Sequence, residues 1–72
     1  MLPMEERQSN VQDELLNRYK ETGVTVTVFL TRGNRIVGKI LDHDRYTILL
    51  DVDGQHQLIY KHAISTIVEG QP

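Results

Sequence analysis

The sequence predicts a mainly β domain with one N-terminal α-helix, folded as an SH3-like open barrel in which five antiparallel strands make one strongly bent sheet. Three observations predict it. A single helical stripe, Val11, Leu15, Leu16 and Tyr19, precedes short alternating segments and no further helical pattern. Those segments are separated by the turn residues Arg32-Gly33-Asn34, His43-Asp44-Arg45 and Asp53-Gly54. Gly38 interrupts the second segment, where a missing side chain marks a bend or a bulge. One helix followed by five short strands, the second bent, is the pattern of a small, partly open barrel.

Taken in order, Met1 to Ser9 carry no periodicity, and the division expected is a flexible arm over residues 1–10, a folded domain over 11–68 and a short tail over 69–72. Ser9 with Gln12, or Asn10 with Asp13, can cap a helix of about three turns, and Gly23 supplies a left-handed stop. From Val24 to Thr31 the chain alternates: Val24, Val26, Val28 and Leu30 face one way, and Thr25, Thr27, Phe29 and Thr31 the other. Phe29 among threonines is either covered by a neighbour or kept for a ligand. Arg35 to Asp42 reads as the second strand and Tyr46 to Leu50 as the third. Asp53-Gly54 turns the chain into a fourth strand ending at Tyr60, and Ile64 to Val68 is the fifth.

Seventy-two residues make one small domain. Below ~70–80 residues a hydrophobic core rarely supplies more than ~3–5 kcal/mol, so disulfides, a metal or self-association usually help. There is no cysteine, and the three histidines are too scattered for a structural zinc site. Self-association remains, and a barrel with two unpaired edges invites pairing with a second copy, head to tail, into a ring. No apolar run approaches the ~20 residues of a membrane span and the first residues are not a signal peptide, so a soluble cytoplasmic protein is expected. A net charge of −2 argues mildly against nucleic acid, and only local placement of cations offsets it.

No nucleophile–base constellation or phosphate-cradling glycine loop is visible, so neither an enzyme nor a cofactor is expected. Asp42-His43-Asp44 and Asp51-Val52-Asp53-Gly54 read as turns, the second lacking the later oxygen ligands and closing glutamate of a calcium loop. His43 and His56 read as surface residues beside turns. The informative stretch is Tyr60-Lys61-His62-Ala63-Ile64-Ser65-Thr66, where Lys61 and His62 form a basic corner between two strand-like runs. A corner so held keeps its donors at a fixed place and angle, which repeated phosphate or base contacts require.

Together with Gln12-Asp13, Val26 to Leu30, Asn34 to Ile40, Asp44-Arg45-Tyr46 and Ile48-Leu49-Leu50, that stretch resembles the Hfq family of bacterial Sm-like RNA chaperones, over roughly Gln12 to Val68. The resemblance implies an Sm-like fold and a homohexameric ring closed by fourth-to-fifth strand pairing. It also implies binding of uridine-rich RNA on the helix-bearing, proximal face, adenine-containing RNA on the distal face, and promotion of small RNA–mRNA pairing. The proximal positions fall on Gln12, Arg45, Tyr46, Lys61 and His62. The family commonly has Phe at the position of Tyr46 and Gln or Lys at that of Arg45; tyrosine keeps the stacking ring and adds a hydroxyl. The distal positions fall on Phe29, Leu30, Gly33, Asn34, Arg35, Gln57 and Thr66, with Asn34 replacing an apolar residue. On the rim, the resemblance points to Asn17, Arg18 and Lys20, beside Glu21, a charge-poor version of an annealing cluster. Asp51 to Gln55 is similar to the longer hairpin of Gram-positive-type members. The contrasting reading is a structural Sm-like ring that acts through a protein partner, which the acidic total charge permits.

Overall fold

The computed structural model describes the backbone of residues 4–71 and the side chains of residues 11–71. The elements are α1 (Met4–Thr22), β1 (Thr25–Leu30), β2 (Arg35–His43), β3 (Thr47–Val52), β4 (Gln55–Tyr60), a 3-10 turn η1 (Lys61–Ala63) and β5 (Ile64–Glu69). The five strands form one sheet of order β4-β3-β2-β1-β5, every neighbouring pair antiparallel. The expected class, a helix followed by a five-stranded unclosed sheet, is the one observed.

The helix is longer than its apolar stripe suggests. It starts at Met4, so the arm expected over residues 1–10 is helical from that point on, while residues 1–3 lie outside the described residues. Glu5, Glu6, Arg7 and Gln8 are good helix formers by intrinsic propensity, which an apolar period alone does not register. Ser9 and Asn10 are therefore inside the helix and not at its start. The stop is as expected: Gly23 has φ 69° and its N–H donates to the Tyr19 carbonyl at 3.0 Å. Of the stripe, Leu16 and Tyr19 join the core, but Val11 and Leu15 keep 69% and 40% of their surface exposed. The strands of one chain cover only half the stripe.

The strand core consists of Val26 and Val28 on β1, Ile40 on β2, and Ile48 and Leu50 on β3. Alternation alone mispredicts Thr27, which is fully buried on the supposedly polar face. Its row, Val37–Thr27–Val68, is set by the register of three strands, and its hydroxyl donates to the Gly70 carbonyl at 2.6 Å. The Gly70 N–H in turn donates to Thr25 O at 2.7 Å, so the short C-terminal tail read from residue 69 is bonded to β1 through Gly70.

β2 makes the bend. It pairs with β1 through Arg35–Lys39 and with β3 through Lys39–His43, changing partner at Lys39. Gly38 stands beside that change, and a Cβ there would lie 2.6 Å from the Asp51 carbonyl oxygen and 3.1 Å from Val52 Cγ2. Glycine thus permits close approach of β3, and the bulge itself falls a little later, between Ile40 and Asp42. η1 demands further curl. It joins the two outermost strands, which in a flat sheet would be ~19 Å apart at ~4.8 Å per spacing. A 3-10 turn rises only ~2 Å per residue, so the sheet must wrap until its edges approach.

Candidate nucleic-acid interface

Closing the sheet in this way gathers three connections at one place. The N–H of Lys61, the first residue of η1, donates to the Tyr46 carbonyl at 2.7 Å, and the carbonyl of Ala63, the last, accepts from Thr31 N–H at 2.9 Å. The basic corner is therefore pinned on one side to the β2–β3 loop and on the other to the β1–β2 turn. It is a 3-10 turn and not a plain strand corner.

Asp44 shapes the β2–β3 loop. Its Oδ1 accepts from the Thr47 hydroxyl at 2.7 Å, Thr47 N–H at 2.8 Å and Tyr46 N–H at 2.9 Å. The Thr47 hydroxyl, then the two N–H groups, and more weakly the Lys61 charge hold its carboxyl below the ordinary aspartate range. With its backbone so fixed, the loop presents Tyr46 with 66% of its surface exposed, and the Arg45 guanidinium carbon lies 6.0 Å from the ring centroid. An aromatic face open to solvent, with a cation beside it, suits a flat, electron-poor ring.

Between α1 and this loop is an open depression of about 600 Å³ lined by Gln12, Asp13, Asn17, His43, Asp44, Arg45 and Lys61. Gln12, Arg45 and Lys61, far apart in sequence, thus border one space. Its two carboxylates balance its two fixed cations, so it is a polar pocket with little net charge. Lys61 and Gln12 also border a second groove of about 260 Å³, largely apolar, in which Leu15 and Leu16 of α1 face Ile64 and Ile67 of β5. His62 does not line the depression; its ring stacks on Tyr60, with centroids 5.8 Å apart and planes 24° apart.

The residues singled out for the second face divide. The register places Arg35, Phe29 and Thr66 side by side in one row across β2, β1 and β5. Leu30 follows, its N–H bonded to Asn34 O at 2.8 Å, and Gly33 with φ 97° donates to Leu30 O at 2.9 Å, which closes the turn. Gln57 is not with them: it pairs with Leu50 on β4, at the opposite end of the sheet order. The rim residues are partly engaged. Asn17 Oδ1 lies 2.7 Å from His43 Nε2 and Lys20 pairs with Asp42 at 3.1 Å, tying α1 to the end of β2, whereas Arg18 is exposed. Asp42 is also held below the ordinary range, chiefly by the His43 N–H and then by Lys20.

Sequence reasoning quoted Asp13, Asp44 and Tyr60 within its motifs but gave them no role of their own, and read His43 as a surface residue beside a turn. Asp44-Arg45-Tyr46-Thr47 carried a signal, an aspartate followed three residues later by threonine, the mark of a side-chain-closed turn. Asp13 and His43 gave none, because only packing of α1 against β2 brings them to the same space. Among the described residues, no group of three or more His, Asp or Glu side chains gathers to hold a metal ion, and no helix is long and apolar enough to cross a membrane.

A bent five-stranded antiparallel sheet, an N-terminal helix packed on it, and a basic turn joining its two edge strands define an Sm-like protein. Known proteins agree with that class and narrow it. The family model described as Hfq protein matches residues 11–72. The RNA-binding protein Hfq of Natranaerobius thermophilus is 47% identical over 62 residues, covering 86% of this chain and 74% of that protein. That of Rhizobium etli is 45% identical over 69 residues, covering 96% and 86%. Among solved structures, a 1.55 Å crystal structure of the pleiotropic translational regulator Hfq superimposes with a TM-score of 0.79 at 41% identity, covering 81% of this chain and 97% of that one. An Hfq protein from Anabaena sp. gives 0.76 at 20% identity, covering 82% and 95%, a likeness of fold. The chain belongs to the Hfq family.

Proposed function

We propose that this protein is an RNA chaperone of the bacterial cytoplasm, assembled as a homohexameric ring, that promotes pairing of small regulatory RNAs with messenger RNAs. Uridine-rich single-stranded RNA binds on the helix-bearing face through Gln12, Arg45, Tyr46, Lys61 and His62. The observation that carries this reading is the 2.7 Å bond from Lys61 N–H to Tyr46 O, which fixes the backbone of an exposed aromatic residue beside that of a basic one. Stacking of a base on an aromatic ring is worth ~1–3 kcal/mol. Lys61 and Gln12 donate to the uracil carbonyls, and His62 meets phosphate or sugar. A near-neutral pocket in one chain is compatible with this role, because repetition around a pore concentrates the cations of η1.

Adenine-containing RNA binds on the other face, at the row Arg35–Phe29–Thr66 with Leu30, Gly33 and Asn34 beside it. Gln57 joins this site from a neighbouring copy, since its own strand lies across the sheet. The unpaired edges β4 and β5, with exposed Leu58 on the first, support closure of a ring. Annealing at the rim is weak: Lys20 is already paired with Asp42 and Asn17 with His43, leaving Arg18.

The test is fluorescence anisotropy of a labelled oligouridine at two salt concentrations, beside oligoadenine, with the Tyr46→Ala and His62→Ala variants. The expected outcome is uridine binding that weakens with salt at a log–log slope of about −0.7 per phosphate contact and is reduced in both variants. Binding that ignores salt, or equals the parent in Tyr46→Ala, rejects the pocket and favours a protein partner at this face.

A further inference from the structure

We infer that Tyr60, which touches no part of the depression, is a positioning residue that holds the His62 imidazole ready for RNA. The inference rests on the proximal reading above and deepens it.

η1 is held at both ends by backbone hydrogen bonds, to Tyr46 and to Thr31. Its backbone is therefore fixed, but a backbone anchor leaves the imidazole free to turn about two side-chain torsions. What restricts it is the ring of Tyr60, the last residue of β4. Tyr60 sits in extended backbone, φ −80° and ψ 133°, so its side chain is directed by the strand and not by the turn. The chain then tightens into η1, which brings residue i+2 back beside the tyrosine ring; centroids at 5.8 Å with planes 24° apart are an offset-stacked aromatic pair. Within one chain both rings are exposed, Tyr60 with 53% of its surface, so the pair is not a by-product of that chain's own core packing. A ring stacked at an offset against the imidazole restricts its turning and leaves the in-plane N–H free to donate.

Ordering a side chain before binding lowers the entropic cost of the contact, by an amount equivalent to about 2- to 12-fold in affinity per side chain. Tyr60→Leu, which keeps apolar bulk, is therefore expected to weaken oligouridine binding by about 2-fold or more but by no more than His62→Ala does, whereas Tyr60→Phe, which keeps the ring, stays close to the parent. His62→Ala is expected to cost about 5- to 10-fold. Because Tyr60 acts through His62, adding Tyr60→Leu to His62→Ala should cost nothing more.

The experiment is this double-mutant cycle by anisotropy on the full-length assembled protein, with Tyr46→Ala as reference and particle mass measured for each variant. It is joined to NMR of the histidine ring protons without RNA. Support is a non-additive cycle together with a His62 ring resonance that moves in Tyr60→Leu but not in Tyr60→Phe, while those of His43 and His56 stay in place. Additive losses, equal losses in the Phe and Leu variants, or a His62 resonance indifferent to Tyr60→Leu overturn the inference. Should Tyr60→Leu fail to assemble, the parent and Tyr60→Phe decide: a His62 resonance that differs between them, or a Phe variant much weaker in binding, overturns it. A harmless His62→Ala with a weakened Tyr46→Ala overturns the role of Tyr60 and leaves the uridine pocket standing; if both are harmless, the pocket reading itself fails.

Discussion

The centre of the sheet and its two edges are written in the same alternating code but are used differently. β1, β2 and β3 each have a strand on both sides, and every fully buried strand residue lies on them. β4 and β5 have one neighbour each and contribute no residue to the buried core. On the centre strands most apolar residues are consumed by packing, Leu41 with 37% of its surface exposed being the exception; on β4, Leu58 keeps 56%. The difference teaches that the edges are what packing leaves available: the basic turn joins them, and their unpaired backbone is what a second copy can use.

The largest expected effect separates centre from edge. Leu50→Ala should lower unfolding free energy by ~2–5 kcal/mol in denaturant titration, since the side chain is fully enclosed. Leu58→Ala should change the stability of an isolated chain by no more than ~0.5 kcal/mol and act instead on assembly, read by particle mass. Equal losses from the two would break the comparison. Gly38→Ala comes next, with about 1–3 kcal/mol lost to the clash with the Asp51 carbonyl, because β3 is hemmed in by β4 and cannot retreat.

A sharper use of the contrast is Phe29→Ala, which should weaken oligoadenine binding about 5- to 150-fold while leaving oligouridine untouched, as Phe29 borders neither the depression nor the Tyr46 ring. The β2–β3 loop offers a test by pH. The Asp44 pKa is depressed by its hydrogen bonds, so its contribution is present above the ordinary aspartate value near ~3.9 and is lost as pH falls through the lower, folded value. Stability of the parent should therefore drop below about pH 4 more steeply than that of Asp44→Asn, which cannot titrate. The smallest effect belongs to the exposed Lys20–Asp42 pair: Lys20→Ala should leave the thermal midpoint within the scatter of other surface substitutions.

Much of this was legible in the chain. Alternation located the five strands, Gly23, Gly33 and Asp53-Gly54 marked turns that do adopt positive φ, and Gly38 announced the bend. Boundaries were less legible. Tyr46 reads as the first residue of a strand, yet Asp44 captures its N–H and leaves it in the loop, where its ring is exposed. Thr27 reads as a surface residue because its burial comes from Val37, Val68 and Gly70, none of them near in sequence.

By itself the sequence determined the element order, the curvature, and which residue types stand in each turn. Those are local matters of period, glycine and side-chain hydrogen bonding, settled within a few residues. Only the tertiary structure decided that Lys61 stands against Tyr46, that Asp13 and His43 share a space with Gln12, that Gln57 is separated from Phe29, and that His62 leans on Tyr60. The first follows from the β3–β4 register, in which Thr47 faces Tyr60, the second from packing of α1 against β2, the third from the strand order and the last from the 3-10 turn; such placement between elements leaves no periodic trace along the chain.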